Sequence, residues 1–312
     1  MNILLTGGTG FIGSYVAMQL LAENHNVTIL ARNANKVPAF HTMPRVQVLE
    51  IGMTDYEKIT QLLQTHAFDA CVHVALNYND TSAYDMLMSD TAASIYLASE
   101  CAKYGVTHFI YTSSTAANDS VYDNPSPKLL NNTNAHVCTW SKHDPHSYYG
   151  ATKAATENFL WGITGVTGMR VNVIRPGYTF GNPVIEGAYT QPDRRFHEIA
   201  KNIRQGKDIE IIKNDGTQFI WAGDLAKIYT ALLNRTYNKH TYFGLSNCFT
   251  SWLDIVREAK QLCNSKSNII VKDLGWSDQP IMFDVSDIQR DFGFSFSPYP
   301  HITQHIEYLL TL

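Results

Sequence analysis

Thr6-Gly7-Gly8-Thr9-Gly10-Phe11-Ile12-Gly13 is the stretch of sequence that decides the fold of this chain. It follows an apolar run, residues 2–6, that predicts a β-strand, and it leads into residues 10–23, whose pattern predicts a helix. Residues 27–31 predict the next strand. A glycine turn between a strand and a helix lets the backbone approach a pyrophosphate at the helix N-terminus. The stretch therefore predicts a dinucleotide site with contacts at Gly7, Thr9, Gly10, Phe11, Ile12 and Gly13.

The same alternation of strands and helices continues along the chain. It is typical of a doubly wound parallel sheet, so the predicted fold class is α/β, a Rossmann sheet with a smaller, mixed C-terminal substrate lobe. The predicted strands are residues 46–51, 70–74, 109–112, 169–174 and 209–212, and the predicted helices are residues 55–65, 86–104, 147–162, 195–205, 224–233 and 251–262.

The chain is predicted to divide near residue 180. Residues 1–180 form the dinucleotide-binding domain, and residues 181–312 form the smaller substrate-binding lobe, with some segments returning to the first domain. Residues 115–146, rich in Asn, Pro, Ser and His, form a long insertion between a strand and a helix. Structureless connections of that length are uncommon and usually functional, although a solvated surface insertion is the alternative.

The composition is that of an ordinary globular protein, for which a small-molecule partner is the default expectation. The chain carries 24 Lys and Arg against 28 Asp and Glu, so it lacks the basic excess that favours nucleic acid or membrane surfaces. No basic leader precedes the first strand, and no apolar run approaches the ~20 residues that span a bilayer. The five cysteines show no zinc or disulfide spacing, which favours reduced thiols in the cytoplasm.

The end of the second strand bears on the choice of cofactor. An NAD site normally has a carboxylate there, which accepts hydrogen bonds from the adenosine ribose and repels a 2′-phosphate. This chain has Ala31 and Arg32 instead. Because a guanidinium suits a phosphate, NADP is the preferred cofactor; NAD is the alternative if Arg32 is only a solvent-facing cation.

A tyrosine and a lysine stand four residues apart in the predicted helix 147–162. This spacing places Tyr149 and Lys153 on one face of the helix. A phenol is a poor acid or base at neutral pH unless a cation favours its phenolate, and a lysine one turn away supplies that cation. Such a pair is frequent by chance, so its value comes from the motifs that accompany it.

Through the glycine turn at residues 6–13, the Tyr149–Lys153 pair and several further segments, the chain resembles the extended short-chain dehydrogenase/reductases, the NAD-dependent epimerase/dehydratase family, over nearly its whole length. The resemblance implies that Tyr149 donates or accepts the proton at the substrate oxygen and that Lys153 modulates this step. It also implies that Ser114, or its neighbour Ser113, hydrogen-bonds the same oxygen. The segments that carry the resemblance are residues 6–13, 69–75, 109–114, 149–153, 174–177, 219–225 and 284–294.

The resemblance further implies contacts beyond the catalytic residues. Cofactor contacts are expected at Ala75, Lys153 and Pro176. Helices 86–104 and 147–162 correspond to those of the four-helix dimer interface in many relatives, so a homodimer is expected.

Several positions depart from the pattern of the family. Dehydratases carry an acidic pair after the catalytic Ser or Thr, but this chain has Thr115 and Ala116, which disfavours dehydration. Many nucleotide-sugar epimerases have an Asn three residues beyond the position of Arg175, where this chain has Tyr178. Two further departures are Gly52, in place of an Asp that often contacts adenine, and Asp90, in place of an Asn that commonly begins the long helix.

Three functions follow from these patterns. The leading hypothesis is an NAD(P)-dependent reductase or dehydrogenase acting on a ketone or secondary alcohol, because Arg32 sits at the spacing seen in NADP-dependent ketone reductases of the family. The alternative is a nucleotide-sugar epimerase with tightly bound NAD and no net cofactor turnover. A non-catalytic dinucleotide sensor is disfavoured, since such proteins typically lose the tyrosine or the lysine.

Histidine and aromatic residues elsewhere receive structural or substrate-binding interpretations. His73, in the apolar strand 70–74, is predicted to be a satisfied core histidine. The histidines of the insertion lack metal-ligand spacing, so no metal is expected. Aromatic side chains beside arginines suit a planar or anionic molecule, so substrate contacts are predicted at Tyr178, Arg194 and Arg195, with packing between the lobes as the alternative interpretation of the aromatics. The resemblance adds Ser114 to the predicted substrate contacts.

Overall fold

A parallel sheet of seven strands forms the centre of the protein. The computed structural model describes residues 1–77, 82–122, 136–190, 194–278 and 280–312. In chain order the strands are β1 Asn2–Thr6, β2 Asn26–Ala31, β3 Val46–Glu50, β4 Ala70–His73, β5 His108–Thr112, β6 His136–Val137, β7 Arg170–Pro176, β8 Thr179–Phe180, β9 Ile209–Ile212, β10 Gly216–Thr217, β11 Ile220–Trp221, β12 His240–Gly244, β13 Thr250–Ser251, β14 Ile269–Lys272 and β15 Met282–Phe283. The sheet order is β3-β2-β1-β4-β5-β7-β12, with every neighbouring pair parallel, and the predicted α/β Rossmann fold is confirmed.

Helices cover both faces of this sheet. They are α1 Phe11–Ala22, α2 Tyr56–Thr65, α3 Ala83–Met86, α4 Ala93–Lys103, α5 Tyr148–Thr167, α6 Arg195–Arg204, α7 Ala222–Leu233, α8 Trp252–Leu262, α9 Ser286–Phe292 and α10 His301–Thr311. Successive strand residues face opposite sides of a sheet. Ile3 and Leu5 therefore pack in one core with α1 and α7, whereas Leu4 packs in the other with α2, α4 and α5.

A second set of elements builds a smaller core outside the sheet layers. Helices α6, α8 and α10 contribute Phe196, Trp252 and Ile306 to it. The rings of Phe196 and Trp252 meet edge to face, with centroids 5.1 Å apart. Further two-stranded ladders, β10-β13, β11-β8, β14-β9 and β15-β6, lie outside the central sheet. Although late in the chain, α7 and β12 belong to the central sheet and its covering layer.

Several predicted boundaries are corrected by the structure. The helix predicted over 147–162 continues to Thr167, because Gly162 and Gly165 face open space while the opposite face of α5 is buried. Burial of one face outweighs the weak helix propensity of glycine. The helix predicted over 86–104 begins at Ala83 and contains a π-helical turn, Leu87–Ala92, between α3 and α4. Elements absent from the sequence prediction include β12, α9 and α10.

The insertion predicted over residues 115–146 has some regular structure in its described part. Thr115–Tyr122 forms 3₁₀-helical turns with a kink at Asn118, and β6 pairs in parallel with β15. Residues 123–135 of the insertion lie outside the described residues.

Two further findings concern the chain as a whole. Helices long and apolar enough to cross a bilayer do not occur among the described residues. No disulfide joins any of the five cysteines, which all lie among the described residues, and Cys71 and Cys101 are buried.

Candidate active site

The glycine turn between β1 and α1 adopts a conformation that side chains would prevent. Gly7 has a φ of +71°, and a Cβ there would lie 2.7 Å from the backbone nitrogen of Ala75. A Cβ on Gly13 would lie 2.0 Å from the carbonyl oxygen of Gly7, and the Gly10 N–H donates to that same oxygen at 2.9 Å. Glycine is therefore required where the turn meets β4 and where α1 crosses the turn.

The N-terminus of α1 offers backbone donors to an anion. Gly10 is the N-cap residue and provides no side-chain cap. The first backbone N–H groups of a helix have no partner within the helix, and here they belong to Phe11, Ile12 and Gly13. The side chains of Phe11 and Thr9 are buried and offer little surface to a cofactor. The arrangement fits a pyrophosphate.

A buried hydrogen-bond chain fixes the end of β4 beside this turn. Ser94 Oγ donates to the Asp90 carbonyl at 2.6 Å, so His73 Nε2 must donate to Ser94 Oγ, at 2.7 Å. His73 Nδ1 then accepts from Thr6 Oγ1 at 2.6 Å, and Thr6 Oγ1 accepts the N–H of Ala75 at 3.2 Å. Burial lowers the pKa of His73 to about 3, so the ring is neutral. His73 is a satisfied core histidine, as expected, and it holds Ala75 against Gly7.

Two cations lie beyond the end of β2, where the adenosine of a dinucleotide belongs. Arg32 is exposed, and its Cγ is 3.8 Å from the Cβ position of Gly52. Lys36 Nζ lies 3.7 Å from the ring centroid of Tyr189. The pKa of Lys36 is lowered mainly by partial burial and to a smaller extent by the positive charge of Arg32. The second cause indicates that the two cations are close. Arg32 has no carboxylate within ion-pair distance in the part of the chain that the structure describes.

Tyr149 and Lys153 lie on the first turns of α5. Ser147 caps this helix by accepting the Gly150 N–H at 3.0 Å. Lys153 is 2% exposed, and its Nζ lies 5.7 Å from the ring centroid of Tyr149. The two side chains therefore share one face, as the four-residue spacing predicts. Lys153 Nζ is also 3.5 Å from the carboxylate of Asp90, a contact that the sequence did not predict.

The two candidate serines at the end of β5 have different partners. Ser113 Oγ donates to the buried carboxylate of Glu157. Ser114 Oγ accepts the N–H of Ala116 at 3.1 Å, which leaves its own proton available to a substrate. A Cβ on Gly150 would lie 2.1 Å from the Ala116 carbonyl oxygen, so the residues after Ser114 pack directly on the start of α5. This packing brings Ser114 to the end of the helix that carries Tyr149.

A buried ionic network supports the site from behind. Arg175 Nε and Nη2 donate to the two carboxylate oxygens of Glu157 at 2.9 and 2.6 Å. Arg175 Nη1 donates to Asn118 Oδ1 at 2.9 Å, and His143 lies 3.0 Å from Glu157. Burial alone would raise the pKa of Glu157, but its hydrogen bonds with Arg175, His143 and Ser113 lower it to about 2. The network ties the insertion to α5, and sequence reasoning missed Glu157 because its partners are distant in the chain.

A cavity of about 310 Å³ opens near the ends of β5 and β7. Its wall contains Thr115, Gly177, Tyr178, Arg195, Gly216, Thr217, Leu245, Trp252 and Phe283. The guanidinium of Arg195 lies 4.2 Å from the ring centroid of Trp252 and 2.8 Å from an Asp215 oxygen. Thr115, which follows Ser114 in the chain, is part of the wall, whereas Ser114, Tyr149 and Lys153 do not line this cavity.

The remaining predicted contacts lie at different places. Tyr178 and Arg195 line the cavity, but the structure does not bring Arg194 to its wall. Arg194 is exposed at the N-cap of α6, because neighbouring residues at a helix start point about 100° apart. Pro176 is buried at the end of β7, opposite Gly244 of β12. Among the described residues, no group of three His, Cys, Asp or Glu could hold a metal ion.

The sheet order, the glycine turn and the tyrosine–lysine pair on α5 define the class of dinucleotide-dependent enzymes with a helical Tyr/Lys site. The model of the NAD dependent epimerase/dehydratase family matches residues 3–242, and the chain belongs to this family. It is accordingly an enzyme of the extended short-chain dehydrogenase/reductase type, as the resemblance implied.

Known relatives include both epimerases and dehydratases. A probable UDP-arabinose 4-epimerase 3 of Oryza sativa subsp. japonica is 26% identical over 300 residues, which cover 87% of this chain and 71% of the relative. The dTDP-glucose 4,6-dehydratase of Haemophilus influenzae is 23% identical over 340 residues, or 97% of this chain and 94% of the relative. The crystal structure of a UDP-glucuronic acid 4-epimerase from Bacillus cereus in complex with NAD superposes with a TM-score of 0.79 at 18% identity, covering 100% of this chain and 99% of the other.

Proposed function

We propose that this protein is an NAD(P)-dependent oxidoreductase that transfers hydride between the nicotinamide and the carbon of a ketone or secondary alcohol. The observation that carries the proposal is the Tyr149–Lys153 pair on α5, near Ser114 and near a cavity of about 310 Å³ whose wall includes Thr115. A phenol, a fixed cation and a hydroxyl donor are the groups that proton transfer at a carbonyl oxygen requires.

Each residue has a defined part in the proposed reaction. The bound nicotinamide supplies the hydride in reduction and accepts it in oxidation. In reduction Tyr149 donates its proton to the substrate oxygen, and in oxidation it takes that proton back. Lys153 stabilises the phenolate that forms on Tyr149, while the Ser114 proton hydrogen-bonds the substrate oxygen. The ketone, the hydride and the tyrosine proton together make the alcohol.

NADP is the cofactor we propose. Arg32 and Lys36 both lie at the end of β2, where the adenosine ribose of a bound dinucleotide is expected. A guanidinium and an ammonium favour a 2′-phosphate, and the exposed position of Arg32 leaves its fork free to face one. The solved relatives in complex with NAD make NAD the alternative.

The charge of the cavity supports a substrate other than a nucleotide sugar. Arg195 is the cation of the described cavity wall, and Asp215, at 2.8 Å, already neutralises it. A nucleotide diphosphate carries two or more negative charges and needs unpaired cations, whereas a neutral ketone does not. Residues 181–312 supply Arg195, Thr217 and Trp252 to the wall, so we propose this part of the chain as the substrate lobe, with α7 and β12 returning to the dinucleotide-binding domain.

Nucleotide-sugar epimerisation is the second candidate. It is favoured by the UDP-sugar 4-epimerases among the relatives that match most of this chain. An epimerase oxidises and re-reduces the same substrate with the same groups, so it keeps its cofactor and shows no net turnover of it.

The experiment that tests the proposal follows NADPH oxidation with a panel of ketones, and NADP⁺ reduction with the corresponding alcohols. We expect turnover that falls by about two to four orders of magnitude in Tyr149→Phe. Tyr148→Phe is the matched control, since Tyr148 is the neighbouring residue of α5 and is exposed. Inversion of a UDP-sugar without net NADPH consumption, lost in Tyr149→Phe, would instead establish the epimerase.

We also propose a cytoplasmic homodimer. The outer faces of α3, the π-helical turn and α5 expose large apolar side chains, among them Tyr84, Leu87, Phe159 and Val166. Such a patch is typical of an interface, and helices α4 and α5 lie side by side, as a four-helix packing with a second copy requires. The five cysteines, all in described parts of the chain, form no disulfide, which supports a reducing compartment. Sedimentation should give a dimer that Phe159→Lys dissociates; a monomeric wild type would refute the dimer.

A further inference from the structure

Asp90 lies beside Lys153 in the interior of the protein, and the proposed reaction has not yet used it. Its Oδ2 is 3.5 Å from Lys153 Nζ, and each side chain is 2% exposed. Thr152 Oγ1 lies 3.1 Å from the same carboxylate oxygen and 2.8 Å from the Tyr149 carbonyl oxygen, so its one proton is shared between these two acceptors. The carboxylate is therefore held by two neighbouring residues of α5, one of which is the candidate catalytic lysine.

The backbone that carries Asp90 departs from α-helical geometry. Asp90 belongs to the π-helical turn Leu87–Ala92, which separates α3 from α4. Ser94 Oγ donates to the Asp90 carbonyl at 2.6 Å and Thr91 Oγ1 donates to the Thr152 carbonyl at 3.2 Å, so the turn is tied both to α4 and to α5. Single π turns inside α-helices occur frequently at functional sites. This one presents a carboxylate to Lys153.

The charges around Lys153 can be counted from the neighbouring side chains. His73, on β4, is neutral, since burial lowers its pKa to about 3. Tyr111, on β5, has its ring centroid 5.0 Å from Lys153 Nζ, and burial raises its pKa well above the usual value, so it is neutral too. Glu157, one turn further along α5, is matched by Arg175. Of these described neighbours, Asp90 and an ionised Tyr149 are the anions that can share the lysine charge.

We propose that Asp90 is a positioning residue, whose buried carboxylate holds the Lys153 ammonium in place and shares its positive charge with the oxygen of Tyr149. The inference rests on the proposed function, in which Tyr149 exchanges a proton with the substrate. A carboxylate and a phenolate beside one buried ammonium both attract it, so each weakens the attraction of the ammonium for the other. The same carboxylate limits how strongly Lys153 favours the phenolate, so that Tyr149 can still donate a proton.

Asp90→Asn tests this division of charge because it removes one negative charge and keeps the shape of the side chain. With Lys153 still protonated, its attraction for the phenolate is no longer shared. Tyr149 should then ionise at a pH about one unit or more below that of the wild type. In oxidation of an alcohol, where the phenolate is the base, the rising limb of the pH–rate profile should move to lower pH by the same amount.

The ionisation of Tyr149 can be measured without a substrate. Ultraviolet difference titration of the wild type against Tyr149→Phe gives the Tyr149 curve, and Asp90→Asn against Asp90→Asn with Tyr149→Phe gives the variant curve. We expect a lower midpoint in the variant, whereas an unchanged or higher midpoint overturns the proposal. The matched control is Asp85→Asn, an exposed carboxylate on the neighbouring α3, which should leave the midpoint unchanged.

A shifted midpoint in a protein that turns over no ketone, alcohol or nucleotide sugar would keep this inference and count against the proposed function. In an active enzyme, an unshifted midpoint would overturn this inference and leave the proposed function standing.

A stability measurement covers the case in which Asp90→Asn does not fold. Lys153→Met leaves the Asp90 carboxylate buried without its cation, and the double variant of Asp90→Asn with Lys153→Met removes both charges. The double variant should have a higher Tm than Lys153→Met alone. Equal Tm values would show that the two charges are not coupled and would overturn the proposal.

Discussion

Glu157 and Arg175 form a buried two-pronged ion pair behind the candidate active site, with nitrogen–oxygen distances of 2.9 and 2.6 Å. Glu157 lies on α5, two turns beyond Tyr149, and Arg175 lies near the end of β7. The pair therefore links the helix that carries the proton-transfer residue to the strand whose end borders the cavity. Planar, bidentate geometry makes such a pair specific as well as strong.

Glu157→Gln should destabilise the protein severely. It leaves the Arg175 guanidinium buried without a matching charge, which costs about 3–5 kcal/mol. Urea unfolding measures this loss in the free energy of unfolding. Asp254→Asn is the control, since its ion pair with Arg257 is exposed and should contribute less than about 1 kcal/mol. Equal losses in the two variants would contradict a stabilising role for the buried pair.

Gly13→Ala should weaken dinucleotide binding, whereas Gly162→Ala should stabilise the protein, although both substitutions place a methyl group on a helix. The methyl group at residue 13 would lie 2.0 Å from the Gly7 carbonyl oxygen, so the turn must shift, and we expect at least a tenfold loss in dinucleotide affinity. At residue 162 nothing lies within 4 Å, and the better helix former should stabilise the protein by about 0.5–1 kcal/mol. Calorimetric binding and thermal unfolding measure the two effects. Normal binding by Gly13→Ala would mean that the turn does not hold the pyrophosphate.

Arg32→Ala should weaken NADP⁺ binding about tenfold, or ~1.4 kcal/mol, and leave NAD⁺ binding unchanged. The reason is that the guanidinium contacts the 2′-phosphate, which NAD⁺ lacks. Calorimetry on cofactor-free protein measures both affinities, and Lys58→Ala on the exposed face of α2 controls for general loss of positive charge. If wild type binds NAD⁺ as tightly as NADP⁺, Arg32 does not select the cofactor, and the epimerase hypothesis gains.

The free energy of unfolding should fall as the pH is lowered from about 6.5 toward 3. Burial lowers the pKa values of His73, His108 and His305 from 6.5 to about 3, so between these values the unfolded chain binds protons that the folded protein does not. The contribution of these histidines to the free energy of unfolding is therefore complete above pH 6.5, the pKa of histidine in the unfolded chain. It falls on acidification by up to ~1.4 kcal/mol per pH unit for each histidine.

His108→Gln should reduce this pH dependence by the share of one histidine. His108 Nε2 lies 2.8 Å from Asn172 Nδ2, so the ring accepts a hydrogen bond that the glutamine oxygen can replace. Urea unfolding at several pH values gives the slope. His66→Gln is the control, because His66 is exposed, and it should leave the slope unchanged. An unchanged slope in His108→Gln would mean that His108 titrates normally in the folded state.

Sequence reasoning succeeded where function depends on residues close together in the chain. The glycine turn and the Tyr149–Lys153 spacing are local patterns, and backbone geometry alone determines which atoms they bring together. It failed for contacts between distant segments. Neither the pairing of Asp90 with Lys153 nor that of Glu157 with Arg175 follows from any local period, and the π-helical turn has no sequence signal that distinguishes it from an α-helix.

By itself, the sequence determined the class of this protein: a parallel sheet, a dinucleotide turn and a tyrosine–lysine helix, because short-range sterics and hydrophobic periodicity specify these elements. Tertiary structure alone decided which serine keeps a free proton, which of Arg194 and Arg195 reaches the cavity, and which carboxylate balances Lys153. Those outcomes depend on side chains from separate elements meeting at distances of a few ångströms, where burial makes each unmatched charge or donor costly. Tertiary packing therefore determines which of several chemically similar residues contacts each of these side chains.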